Sequence, residues 1–157
     1  MRILQKAIGF VLRPAAERKA RRRSFQDLAD DLQNAYPTIA DHLAGKPDTP
    51  ANREAIAHCV GIERWGQSRL RSALGAPLEM DTYHPYRPDV GDGVEALAAA
   101  MAATREETVA LARTLHDQGI APTDTVPHND LGDLSLAGWL AYLQQHASRE
   151  LPMRVRG

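Results

Sequence analysis

The side chains in this sequence best suited to chemistry are two histidines far apart in the chain, His58 and His146, and a carboxylate, Glu150, four residues after the second. A neutral imidazole offers a lone pair, which makes histidine the commonest protein ligand for a metal ion. A His–x3–Glu pair at i, i+4 puts both donors within reach of one ion on a helix face. With a histidine from a facing helix, that makes three protein ligands with open positions, the arrangement of catalytic zinc and non-haem iron centres. The same spacing equally fits two hydrogen-bonded histidines near the core edge and a solvated Glu150. Cys59 follows His58 directly, but adjacent helix positions diverge by roughly 100°, so the two do not form a catalytic Cys–His pair, and Cys59 reads as a small buried hydrophobe. His42, beside Asp41, reads as exposed. His116 falls near a helix end, where a cationic imidazole suits the helix dipole. His128 lies in a loop, Pro127 to Asp130, with nothing in the sequence to fix its partners. No nucleophile elbow, phosphate loop or dinucleotide fingerprint is present.

Four amphipathic helices are needed to position these groups. Ser24 with Asp27 reads as a helix start. Phe25, Leu28, Leu32, Ala35, Tyr36, Ile39 and Leu43 then form one apolar stripe, closed by Gly45. A second helix starts with Thr49 as cap and Pro50 in the first turn, buries Ile56, Cys59, Ile62, Leu70 and Leu74, and stops at Gly75. His58 falls at the edge of that stripe, beside Ile62, Trp65 and Arg69. A third helix runs from about Val94 to Leu115. The fourth is capped by Asp133 or Ser135 and carries Leu136, Trp139, Leu140, Leu143 and His146 on its inward face. The connections from Ala76 to Gly93 and from Gly119 to Asp133 read as long loops. No convincing strand, repeat or low-complexity tract appears. The reading is an all-α fold, an antiparallel four-helix bundle with long connecting loops and an extra basic N-terminal helical arm.

Composition agrees. The chain has 157 residues, 43% hydrophobic but only 5% aromatic, and its apolar content is mostly Ala and Leu, which favours close-packed helices. One cysteine excludes an internal disulfide framework and Cys-rich zinc modules. No apolar run approaches the length of a membrane span, no secretory signal is legible, and a cytoplasmic location is expected. The net charge of −1 hides an asymmetry. Residues 1–23 hold eight Lys or Arg against Glu17 alone, and the remainder has 11 basic and 19 acidic residues. The organisation read from this is an amphipathic arm over 1–23, with Ile3, Leu4, Ala7, Ile8, Val11 and Leu12 at helical spacing up to Pro14, and a bundle domain over 24–157. The arm is expected to fold against its own or a partner's body. Nucleic acid is a disfavoured partner, because the body is acidic and the arm has only Phe10 for stacking on bases; a membrane surface is disfavoured too.

Three segments carry a family resemblance: Ala57-His58-Cys59-Val60-Gly61-Ile62-Glu63-Arg64-Trp65, the loop Tyr83-His84-Pro85-Tyr86-Arg87-Pro88, and Leu136-Ala137-Gly138-Trp139-Leu140-Ala141-Tyr142-Leu143-Gln144-Gln145-His146. Their order and spacing, over roughly residues 25–151, resemble the DinB superfamily of bacterial four-helix proteins. The resemblance implies an antiparallel bundle with a long crossing connection, commonly a homodimer. It also implies a divalent metal (zinc, nickel or iron) held by one histidine of the second helix and a His–x3–His pair of the last. His58 and His146 match the first two ligands, and Glu150 stands where the third histidine would be. Some members of the superfamily are transferases or isomerases that use a low-molecular-weight thiol in stress or detoxification, with the metal lowering the thiol pKa. On that reading Arg69 and Arg87 are candidates to receive carboxylates of the thiol or of a small-molecule substrate. The alternative is a metal-free, non-enzymatic dimeric module with a degenerate site.

Overall fold

The computed structural model describes residues 13–157, so the apolar pattern of residues 3–12 lies outside the described part. The fold is mainly helical. A first helical segment, α1, covers 13–20. It is followed by α2 (Phe25–Leu43), α3 (Pro50–Ser72), α4 (Gly93–Asp117) and α5 (Leu136–Arg154). Among the described residues, no helix is long and apolar enough to cross a membrane.

The caps form as the sequence dictates. Ser24 and Asp27 make a reciprocal capping box at α2, Thr49 Oγ1 accepts from the Asn52 amide at α3, and Ser135, in preference to Asp133, caps α5 by accepting from Gly138. Each cap satisfies an amide that the first helical turn leaves without a partner. Helix α2 lies against α4 and α5, and α3 lies against the same two. The apolar interior divides into one cluster around Trp65, Leu115, Trp139 and Leu140 and another around Ile56, Met101 and Leu151. At the α3–α5 crossing a Cβ on Gly66 would fall 2.6 Å from Leu143 Cδ2, so glycine sets how closely these helices approach.

The expectation of no strand is corrected. Thr125–His128 (β1) and Gly132–Ser135 (β2) pair antiparallel, with Val126 opposite Leu134 and His128 opposite Gly132. The signal is short: Val126 and Leu134 are the buried pair, and Gly132 supplies the positive φ of 74° that the turn demands. Four residues is the shortest run over which alternation can be read, and Pro127 interrupts the first strand.

Residues 13–20, counted with the basic arm by charge, join the core. Ala16 and Ala20 are buried in the first cluster. Glu17 accepts from the Ser135 amide and hydroxyl, both at 2.8 Å, and so pins α1 to the start of α5. Between α3 and α4 lies a polar network inside the core. Arg105 donates to both oxygens of Glu63, at 2.7 and 3.0 Å, and Thr108 adds a third bond to that carboxylate.

Candidate metal-binding site

Helix α3 carries His58 and helix α5 carries His146, and the packing of those two helices brings the imidazoles together. Their ring centroids are 5.2 Å apart and their planes are inclined at 48°. Both rings are half-buried. Burial disfavours the imidazolium and is the main cause that pushes His58 down to about 4, helped by Arg154, Arg87 and His84. Burial likewise pushes His146 down to about 3, helped by His58 and the nearby arginines. Both are neutral at pH 7 and hold a free lone pair. Two imidazoles bound tetrahedrally to one ion have centroids roughly 5.3 Å apart, given a metal–nitrogen distance of about 2.1 Å. The observed separation fits that geometry.

The expected third donor has arginine neighbours. Glu150 lies one turn beyond His146, where its two oxygens are 3.9 Å from Arg149 and 3.7 Å from Arg154. Among the described residues, no three His, Cys, Asp or Glu side chains converge as a ready-made metal cluster. The structure brings His58 and His146 together and leaves Glu150 engaged by arginine. A cavity of 340 Å³ opens along α5 on the side of His146, with Tyr142, His146, Glu150, Lys19 and Arg149 in its wall and His58 outside it. Cys59 faces the core, and burial pushes its thiol up to about 12, which leaves it inert as a nucleophile.

Arg69 turns inward and Arg87 packs along α3 at Gly61, and together they hold the loop before α4. Arg69 is fully buried. It donates to Met80 Sδ, to the Asp81 carbonyl and to Asn129 Oδ1, and lies over the Trp65 ring at 5.1 Å. Arg87 pairs with Glu54. Both guanidiniums have protein partners, while the Nε of each is buried without a hydrogen bond. Their work is to strap the loop across α3, with Tyr83 edge-on to His58 at 5.0 Å. Gly61 makes this approach possible, since a Cβ there would meet Arg87 Cγ at 2.6 Å and Tyr83 Cδ2 at 3.3 Å. Gly61→Ala should lift the strap. Amide exchange across 83–88 should then speed up roughly tenfold or more, and the His58 pKa should rise towards its ordinary value. Unchanged exchange in that loop would refute the strap.

His128 is the residue whose surroundings the sequence did not disclose. The hairpin turn folds back so that its Nδ1 accepts from the Asp130 and Leu131 amides, at 3.1 and 3.2 Å. That fixes the proton on Nε2, which is buried without a hydrogen-bond partner. Its ring sits among Trp65, Trp139 and Tyr142, at 4.9, 5.0 and 5.1 Å, and burial pushes its pKa down to about 4. The Pro-His-Asn-Asp run carried only a turn signal, because the aromatic partners come from two other helices. His42, read as exposed, is half-buried and lies 3.2 Å from the Val155 carbonyl, whereas His116 is exposed at the end of α4. Comparison with protein-family models, curated proteins and solved structures finds no match for this chain.

Proposed function

We propose that this chain is a DinB-like antiparallel four-helix bundle protein, working as a homodimer, that binds one divalent metal between α3 and α5. His58 and His146 are its imidazole ligands and Glu150 its carboxylate ligand. The observation that carries the reading is the pair of neutral imidazoles, 5.2 Å apart on facing helices. Two nitrogens and one carboxylate suit zinc, nickel or ferrous iron. Bound there, the ion would supply Lewis-acid character able to hold a low-molecular-weight thiol as its thiolate at neutral pH, the chemistry of a thiol transferase or isomerase in stress or detoxification. The chain's own contribution is a cavity beside His146 whose wall carries the cations Lys19 and Arg149. Those charges attract an anionic small molecule.

One observation favours the metal-free alternative: Glu150 already has Arg149 and Arg154 as partners, so ligation requires it to leave them. Metal content of untagged protein decides between the two. After reconstitution the wild type should hold about one ion per chain, and His58→Ala and His146→Ala should lose it. Glu150→Ala should weaken binding by on the order of tenfold. A wild type that stays empty with zinc, nickel and iron(II) alike would establish the metal-free module.

A further inference from the structure

At the N-terminal end of α5, a cleft of 790 Å³ separates α1 and the Arg21–Arg23 turn from the β-hairpin. It is lined by Arg13, Arg21, Arg22 and Arg23, the first three of them exposed, together with Thr123 and Thr125. Arg23 is spoken for, since it donates to Asp31 at 2.9 Å. No described carboxylate lies within 4.0 Å of a guanidinium of Arg13, Arg21 or Arg22, and residues 1–12 contain no Asp or Glu. Glu17 also borders the cleft but is held by Ser135, and Asp133 stands across from the arginines.

The backbone gives an independent sign. Arg22 has φ 61°, and it is the one non-glycine residue described with a positive φ. Helix α1 ends there, at a position where glycine is the residue that avoids strain. An arginine kept in a strained left-handed conformation points to a use for its guanidinium. The start of α5 contributes no donors of its own, because its first amides are taken by Asp124, Pro122 and Ser135.

We propose that this cleft binds a small ligand bearing a chain of two or more phosphate groups. Three guanidiniums without carboxylates exceed what a single monovalent anion needs. Their planar forks match phosphate oxygens bidentately, and the volume lies within the ordinary range of small-molecule sites. The chemistry is shared by inorganic pyrophosphate and by a nucleotide. It is independent of the metal reading, whose residues it does not use.

Calorimetric titration of the full chain with pyrophosphate, ATP, sulfate and a short DNA duplex tests this, at roughly 50 mM and again at roughly 200 mM salt. Pyrophosphate should bind once per chain and at least about tenfold tighter than sulfate. ATP equal to pyrophosphate identifies the phosphate chain alone as the determinant; ATP tighter adds a nucleoside contact. Arg22→Gly is the informative variant, because it removes the guanidinium and relieves the backbone. It should melt at or above the wild-type temperature while loosening pyrophosphate roughly tenfold. Arg13→Ala should loosen it similarly, and Arg71→Ala, on another helix, should change nothing. Pyrophosphate no tighter than sulfate, or unaffected by Arg22→Gly and Arg13→Ala, would overturn the proposal. So would a bound duplex that pyrophosphate fails to displace, which would mark a nucleic-acid surface instead.

Discussion

Arg105→Ala should destabilise the fold by about 3–5 kcal/mol, the range for removing one partner of a buried ion pair. Glu63 and Arg105 are 1% and 2% exposed, so neither charge has water to fall back on. In the native fold the pair is bidentate, Arg105 also reaches the Leu32 carbonyl at 3.3 Å, and Thr108 donates to Glu63 at 2.8 Å. Without the guanidinium, Glu63 keeps only the Thr108 hydroxyl and must protonate or admit water. The loss is a large fraction of the roughly 5–15 kcal/mol that holds such a domain together. Replacing both residues with apolar ones of similar size, Glu63→Leu with Arg105→Met, should recover most of it, because the isolated charge and not the missing attraction is what costs. Urea unfolding of Glu63→Leu, of Arg105→Met and of the double variant gives the coupling directly. An Arg105→Ala loss under about 1 kcal/mol would show that the network is hydrated.

That network also shows why only part of the structure was legible in the sequence. What is local could be read: Ser24 with Asp27, Thr49 with Pro50, Ser135, and the apolar stripes that set where α2, α3, α4 and α5 run. The inward lean of His146 and the edge position of His58 followed from the same periodicity. What depends on a distant partner could not be read. Glu63 and Arg105 are charged residues inside helical runs, where a solvated face is the ordinary reading, and their pairing spans 42 positions. Arg69 looked available for a ligand because nothing nearby in sequence announces Asp81 or Asn129 as its partners. His128 is the clearest case, since its tautomer is set by two amides of its own turn and its burial by rings from α3 and α5. The hairpin that carries it has strands of minimal length, and Pro127 breaks the pattern of the first.

Acidification should destabilise this protein through its histidines before its carboxylates matter. His58, His128 and His146 sit at about 4, 4 and 3 in the folded chain, against about 6.5 once unfolded. Burial leads the causes in all three cases, so the folded state resists the charge that the unfolded state accepts. The sign follows from proton counting. Below pH 6.5 the unfolded chain binds protons that the folded chain refuses, so stability falls as pH falls, and it keeps falling until the folded values are reached. Each histidine contributes at most about 1.4 kcal/mol per pH unit. His58 and His146 are only half-buried, so solvent reduces their share, and a total loss of about 2–3 kcal/mol between pH 6.5 and 5 is expected. Carboxylates paired in the fold, such as Asp27 and Asp48, whose values are lowered by their hydrogen bonds, act in the opposite range, below about pH 4. The window from 6.5 to 5 therefore isolates the imidazoles. Urea midpoints of chelator-treated protein across that window should drop steadily, and His146→Phe should flatten part of the slope. A flat profile from pH 7 to 5 would mean that the imidazoles protonate freely inside the fold. The site between α3 and α5 would then lack the neutral, desolvated donors on which its affinity for a metal depends.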